Sequence, residues 1–186
     1  MIRFPFNEKK TAQAAAYLLT MCGGQLPYIS LVKMLYLADR HTLIEIGQPI
    51  TGDRYVSMKN GPVLSRVLDI IHMGEEPSRD GHEWLERISA PTGDGYTVRA
   101  RTEAPDDSEL SDYEIGVLQN VAETYGKMDR WDLVRFTHTL PEWMNNRSAI
   151  AIDPELILRA AGKSDEDIER IASEAQMLMF MRQLAS

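Results

Sequence analysis

The side chains best placed to do chemistry lie in one apolar stretch, Tyr28 to Ile46, which carries Lys33 and the run Asp39-Arg40-His41. Lys33 and Arg40 are seven residues apart and so share roughly one helix face, where they can meet acids of the same chain or of a partner. Asp39-Arg40-His41 reads either as a polar site facing a cleft or as a helix leaving the core with its polar groups paired locally. The four histidines are His41, His72, His82 and His138. No two of them have helical ligand spacing and there is no cysteine pair, so no metal-binding pattern is present. There is no glycine-rich phosphate loop, no dinucleotide fingerprint and no nucleophile elbow. Cys22, among Leu18, Leu19 and Met21, reads as a small buried thiol. Most carboxylates read as solvated helix faces. A catalytic site would have to be assembled only in space, from Asp39, His41 and His138, and no cofactor is implied.

The elements that must position these groups are mostly helices. Asn7 caps a first helix to about Met21, closed by Gly23 and Gly24. Pro27 precedes a second, Tyr28 to Ile46, ended by Gly47; it is apolar on nearly every side, as the buried centre of a domain is. Residues 47–53 form a loop, Arg54 to Met58 a short strand, and Asn60-Gly61 a turn. Pro62 fits the first position of a third helix to about Met73. Gly74 to Gly81 is a polar loop. Trp84–Ser89 and Tyr96–Arg101, around Gly93-Asp94-Gly95, form a β-hairpin. Ser111 with Glu114 is a capping box for a helix to Tyr125. A shorter helix runs from Asp129 or Asp132 through Thr137, a turn follows at Pro141, Asp153-Pro154 opens a helix to Ala161, and Ser164 caps a last one to about Leu184. The expected fold class is mostly α, α+β at the margin: one compact domain over 1–186 with about seven helices and one small β-hairpin or short sheet.

The chain has 186 residues, net charge −8, 44% hydrophobic and 26% charged residues. That is ordinary globular composition. The acidic balance argues against general nucleic-acid binding and against adhesion to an anionic membrane. No apolar run is long enough to span a bilayer, and the first ten residues lack the apolar core of a signal peptide. The expected location is the cytoplasm.

Three blocks then stand out in order: Lys33-Met34-Leu35-Tyr36-Leu37-Ala38-Asp39, Gly47-Gln48-Pro49-Ile50-Thr51-Gly52-Asp53 and Gly61-Pro62-Val63. With the later His138-Thr139-Leu140-Pro141-Glu142-Trp143, they resemble the Panacea domain of SocA-like antitoxins, over roughly residues 10 to 150. The resemblance implies a largely helical domain that neutralises a toxin by direct binding, the toxin being encoded by an adjacent gene. One member is similar in domain but acts as an adaptor that delivers its toxin to a protease. The family contributes no catalytic residue that maps onto this chain. After about residue 150 no motif block matches, and no basic helix-turn-helix is visible.

The expected function is therefore an antitoxin, not an enzyme, with a protease as a further partner under the adaptor reading. The expected contact residues are Arg54, Tyr55 and Lys59 in the 47–63 segment, and Met177, Phe180 and Met181 in the last helix. Three methionines within residues 177–181 cover more than one helix face, so at least one is exposed or covered by a partner. Trp131 and Trp143 close a core edge or, alternatively, anchor an interface.

Overall fold

Local capping chemistry starts most of the helices. The computed structural model describes residues 1–75, 81–145 and 148–184. Asn7 accepts a hydrogen bond from the Lys10 amide and opens α1, Glu8–Met21. Its alanines Ala12, Ala14, Ala15 and Ala16 are buried, so α1 lies close against its neighbours. After the short strand β1, Gln25–Pro27, comes α2, Tyr28–Ile46, which ends at Gly47 in the left-handed conformation (φ +75°). Every residue from Ser30 to Asp39 is buried. Helix α2 is the axis of the domain, with α1, α5 (Asp112–Tyr125), α6 (Arg130–Thr137) and α7 (Pro154–Ala160) packed around it. Ser111 and Glu114 form the capping box of α5, while Asp129 and Asp153 cap α6 and α7. Helix α8, Asp165–Leu184, closes the described chain. In all there are eight helices among the described residues.

Two small antiparallel sheets complete the fold. β2 (Tyr55–Met58) and β3 (Gly61–Leu64) form a hairpin, with Tyr55 opposite Leu64 and Met58 opposite Gly61. The two-residue strand β5, Ile150–Ala151, adds to the free edge of β2. β4 (Thr97–Arg99) pairs with β1, Leu26 facing Val98.

Two expectations are corrected here. Pro62 does not open the third helix: it lies in β3 opposite Ser57, and α3 spans Ser65–Met73. The Asp53 carboxylate replaces a local cap, accepting from the amides of Arg66 (3.0 Å) and Val67 (3.0 Å) in the first turn of α3. Likewise Trp84–Ser89 is no hairpin arm. It begins as α4, His82–Arg87, whose first amides at Glu83 and Trp84 donate to Glu8 of α1. The expected pairing survives around the bridge between Ile88 and Ala100, where the Ser89 amide donates to the Arg99 carbonyl and the Arg101 amide to the Arg87 carbonyl, but β4 also takes β1 as its strand partner. The polar loop expected over 74–81 falls mostly outside the described residues.

Residues 1–6 run back across the 51–53 loop. The Asn7 amide donates to the Thr51 carbonyl, and a Cβ on Gly52 (φ +67°) would lie 2.2 Å from the Pro5 carbonyl oxygen. Only glycine allows this approach. Gly23 also has positive φ (+89°) but open space around it. We therefore expect Gly52→Ala to destabilise the fold more than Gly23→Ala, which carries only the backbone strain of about 1 kcal/mol. Urea unfolding of the two variants compares them, and equal losses would mean that residues 1–6 yield without cost.

Candidate functional site

The residues of the shared motif blocks meet inside the protein, not on its surface. Three of them project from α2 on one side. Lys33, fully buried, donates to the Pro62 carbonyl (2.7 Å). Tyr36 donates its hydroxyl to Glu142 Oε1 (2.7 Å), and Arg40 Nε donates to the same oxygen (2.8 Å). Glu142, 3% exposed, thus receives two donors from one helix face. Asp39 accepts from both the amide and the hydroxyl of Thr51. Trp143 stacks on His138 (centroids 3.9 Å apart) and donates to the Met58 carbonyl (3.0 Å). Ser57 and the Met144 backbone exchange hydrogen bonds. Each block thereby fastens a different segment to α2: the 47–53 loop, the β2–β3 hairpin and the chain around Glu142.

Arg40 meets Glu142 of the same domain, and Lys33 meets no acid among the described residues. Burial lowers the Lys33 ammonium to about 7, because the charged form loses its hydration. Burial also raises Asp39 to about 7, against the opposing hydrogen bonds from Thr51. A Cβ on Gly61 would fall within 3 Å of both Lys33 Nζ and Thr137 Oγ1, so the hairpin turn closes directly over the lysine. His138 lies beside this cluster. Burial and the nearby Lys33 charge lower its affinity for a proton, and its Nε2 is buried without a partner among the described residues. His41 is exposed, Asp39 interior, and His138 packed on Trp143, so these three do not share one pocket. Among the described residues no group of three His, Cys, Asp or Glu could hold a metal ion.

The surface residues fall into two places. On α8, Met177, Phe180, Met181 and Leu184 are 65%, 59%, 59% and 73% exposed. Their spacing i, i+3, i+4, i+7 makes one apolar stripe. The root of α8 is packed into the domain through Ile168, Ile171 and Ala175, with Ile171 against Gly47, while the outer half overhangs. Leu184 completes the stripe and was not singled out in the sequence, although it lies one heptad beyond Met177.

The second place is a cleft of about 660 Å³ between residues 1–6, the start of β2 and the overhanging part of α8. Arg54 and Tyr55 line it together with Met179 and Arg182, so the structure brings the two expected segments together there. Tyr55 itself is 2% exposed with its hydroxyl turned toward Asp39 (3.5 Å), so it forms floor instead of offering a contact. Lys59 is exposed at the β2–β3 turn and is not part of the cleft. Arg3 and Arg66 also line the cleft. Nothing in their local sequence marks them, because the backbone path of residues 1–6 sets their position. Of the two tryptophans, Trp143 is held inside as described, and Trp131 is 46% exposed beside Arg130, whose guanidinium lies over its ring.

A family model described as antitoxin SocA-like, Panacea domain, matches residues 31–144, more than half of the chain. Comparison with curated proteins and with solved structures returns no match. The matched span contains the entire buried network of α2 and its receivers. Among the described residues no helix is long and apolar enough to cross a membrane.

Lys33 and Asp39, the groups on α2 shifted to about 7, fix a pH dependence. The unfolded chain keeps the lysine proton up to about 10.5, whereas the folded chain releases it near 7, so stability rises with pH between those values and the full penalty remains below them. Asp39 acts oppositely: the folded chain binds its proton more tightly, so its stabilisation is present below about 3.8 and is lost as pH rises through about 7. Lys33→Met removes only the alkaline limb. The stability of the parent relative to this variant should grow from pH 7 to 10, by at most about 5 kcal/mol. A difference flat in pH would show that Lys33 stays charged in the fold.

Proposed function

The chain belongs to the SocA-like antitoxin family that carries the Panacea domain, and from that premise we propose that it neutralises a cognate toxin by direct protein–protein binding. The observation that carries this reading is the stripe on α8. Four large apolar side chains at helical spacing stand in water on a helix whose root is firmly packed. Scattered exposed apolar residues are normal, but an aligned set is what a groove on another protein receives. Burying each such side chain contributes about 1.5–3 kcal/mol. The partner is a protein encoded by an adjacent gene. The acidic body speeds encounter with a basic surface and sharpens partner choice. No cofactor or catalytic step enters this function.

An adaptor that hands the toxin to a protease is the second reading, favoured by one observation. Tyr28, Tyr96, Arg130 and Trp131 form a separate aromatic patch around a small cavity that shares no residue with the large cleft. Tyrosine, tryptophan and arginine are the residue types enriched at binding hot spots. Two independent surfaces are what an adaptor needs.

Co-expression with the neighbouring gene product tests both readings. Growth rescue and co-purification are expected for the parent, and loss of both for a Met177→Ser/Phe180→Ser/Met181→Ser variant that keeps its fold. Rescue undiminished in that variant would remove the stripe from the interface. Toxin half-life separates the two readings: an inhibitor leaves it unchanged or longer, and an adaptor shortens it.

A further inference from the structure

The 660 Å³ cleft departs from the electrostatics of the rest of the chain. The protein carries a net charge of −8, yet among the described residues the cleft is lined by Arg3, Arg54, Arg66 and Arg182 and by a single carboxylate, Asp53; Arg66 and Arg182 have interactions of their own, so the uncommitted positive charge is that of Arg3 and Arg54. That carboxylate is already engaged, accepting from the amides of Arg54, Arg66 and Val67. Arg3 and Arg54 are exposed, and neither forms an ion pair with any acid among the described residues. Arg66 lies over the Phe6 ring at 4.9 Å, which holds its guanidinium at the rim.

The floor has the opposite character. Ile2, Phe6, Tyr55 and Ile152 are each less than 9% exposed and present carbon to the cleft, and Met179 adds a flexible thioether from α8. The buried polar atoms nearby, Asp53 and the Tyr55 hydroxyl, are directed to α3 and to Asp39. Besides the arginines, the polar side chains of the lining are Asp53, Tyr55 and Gln183, and the first two are already engaged. Arginine matches carboxylate geometry with paired N–H donors. The volume is that of an ordinary ligand site.

We propose that this cleft binds an extended acidic segment of the partner, with one apolar side chain in the floor and carboxylates on either side against the arginine rim. The inference rests on the antitoxin reading for the identity of the partner, since the segment is assigned to the cognate toxin. The binding chemistry rests on the cleft alone. The net charge of −8 disfavours carboxylates over the surface at large, so such a segment is favoured where an apolar anchor acts together with Arg3 and Arg54.

The test uses the purified full chain and a fluorescein-labelled peptide with central leucine and phenylalanine flanked by glutamates. Fluorescence anisotropy should show saturable binding that weakens with salt. Binding should fall at least about tenfold in the Arg3→Glu/Arg54→Glu variant, whose circular dichroism and melting temperature are checked against the parent. It should fall similarly when serine replaces the two apolar residues of the peptide. Three results would overturn the proposal: equal binding of a peptide with lysines for glutamates, unchanged binding by the double arginine variant, or displacement of the peptide by ATP at equal concentration. Growth rescue without peptide binding would sink this inference and leave the antitoxin function standing; peptide binding without rescue would do the reverse.

Discussion

Helix α2 carries a lysine, an aspartate, a tyrosine and an arginine into or against the interior, and each has to be received at a fixed place. Taking a charged group out of water costs several kcal/mol unless partners replace its hydration. The Pro62 carbonyl, Thr51, and Glu142 with its two donors are those partners. None of the three belongs to α2, and they come from three different segments. The 47–53 loop, the β2–β3 hairpin and the 138–144 segment are therefore positioned by polar demand as much as by apolar packing. Glu142 is the most constrained of the receivers, since loss of its carboxylate would leave both Tyr36 and Arg40 without their acceptor.

This arrangement explains which parts of the fold were legible in the sequence. Helices whose caps lie next to them in the chain, at Asn7, Ser111, Asp129, Asp153 and Ser164, were read with nearly correct bounds. The α2 span was legible because it is apolar all round and ends in a left-handed glycine. The failures were α3 and α4. Their first turns are satisfied by Asp53 and by Glu8, residues thirteen or more positions away in the sequence, so no local signature exists. Pro62 misled for the same reason: its fit to a helix start is real, but its carbonyl is held by Lys33. At the candidate surfaces, the methionines of α8 and Arg54 were visible as residue types. Arg3, Arg66 and Arg182 were not, because only the path of residues 1–6 and the overhang of α8 bring them to one rim.

The division between inside and outside also bears on what membership of the family conveys. The matched span ends at residue 144 and holds the buried groups Lys33, Tyr36, Asp39 and Glu142. The α8 stripe lies wholly beyond that span, and the cleft draws Arg3 from before it and Arg182 from after it. The matched span thus contains the polar interior of this chain, while the surfaces proposed for a partner come largely from elsewhere. Substitutions on the α8 stripe leave the α2 network untouched, whereas Tyr55 in the cleft floor belongs to both.

The cleft is assembled from the two extremes of the described chain, residues 1–6 on one wall and residues 179–183 on the other. Synthesis proceeds from the N-terminus at about 5–20 residues per second, and a nascent chain exposes its last stretch late. The helical body around α2 can form while translation continues, but the arginine rim is incomplete until α8 has left the ribosome. The site consequently forms only once both walls have emerged, whatever the helical body has already achieved. A nascent fragment that stops short of α8, however well folded at its centre, has no second wall with which to hold a ligand.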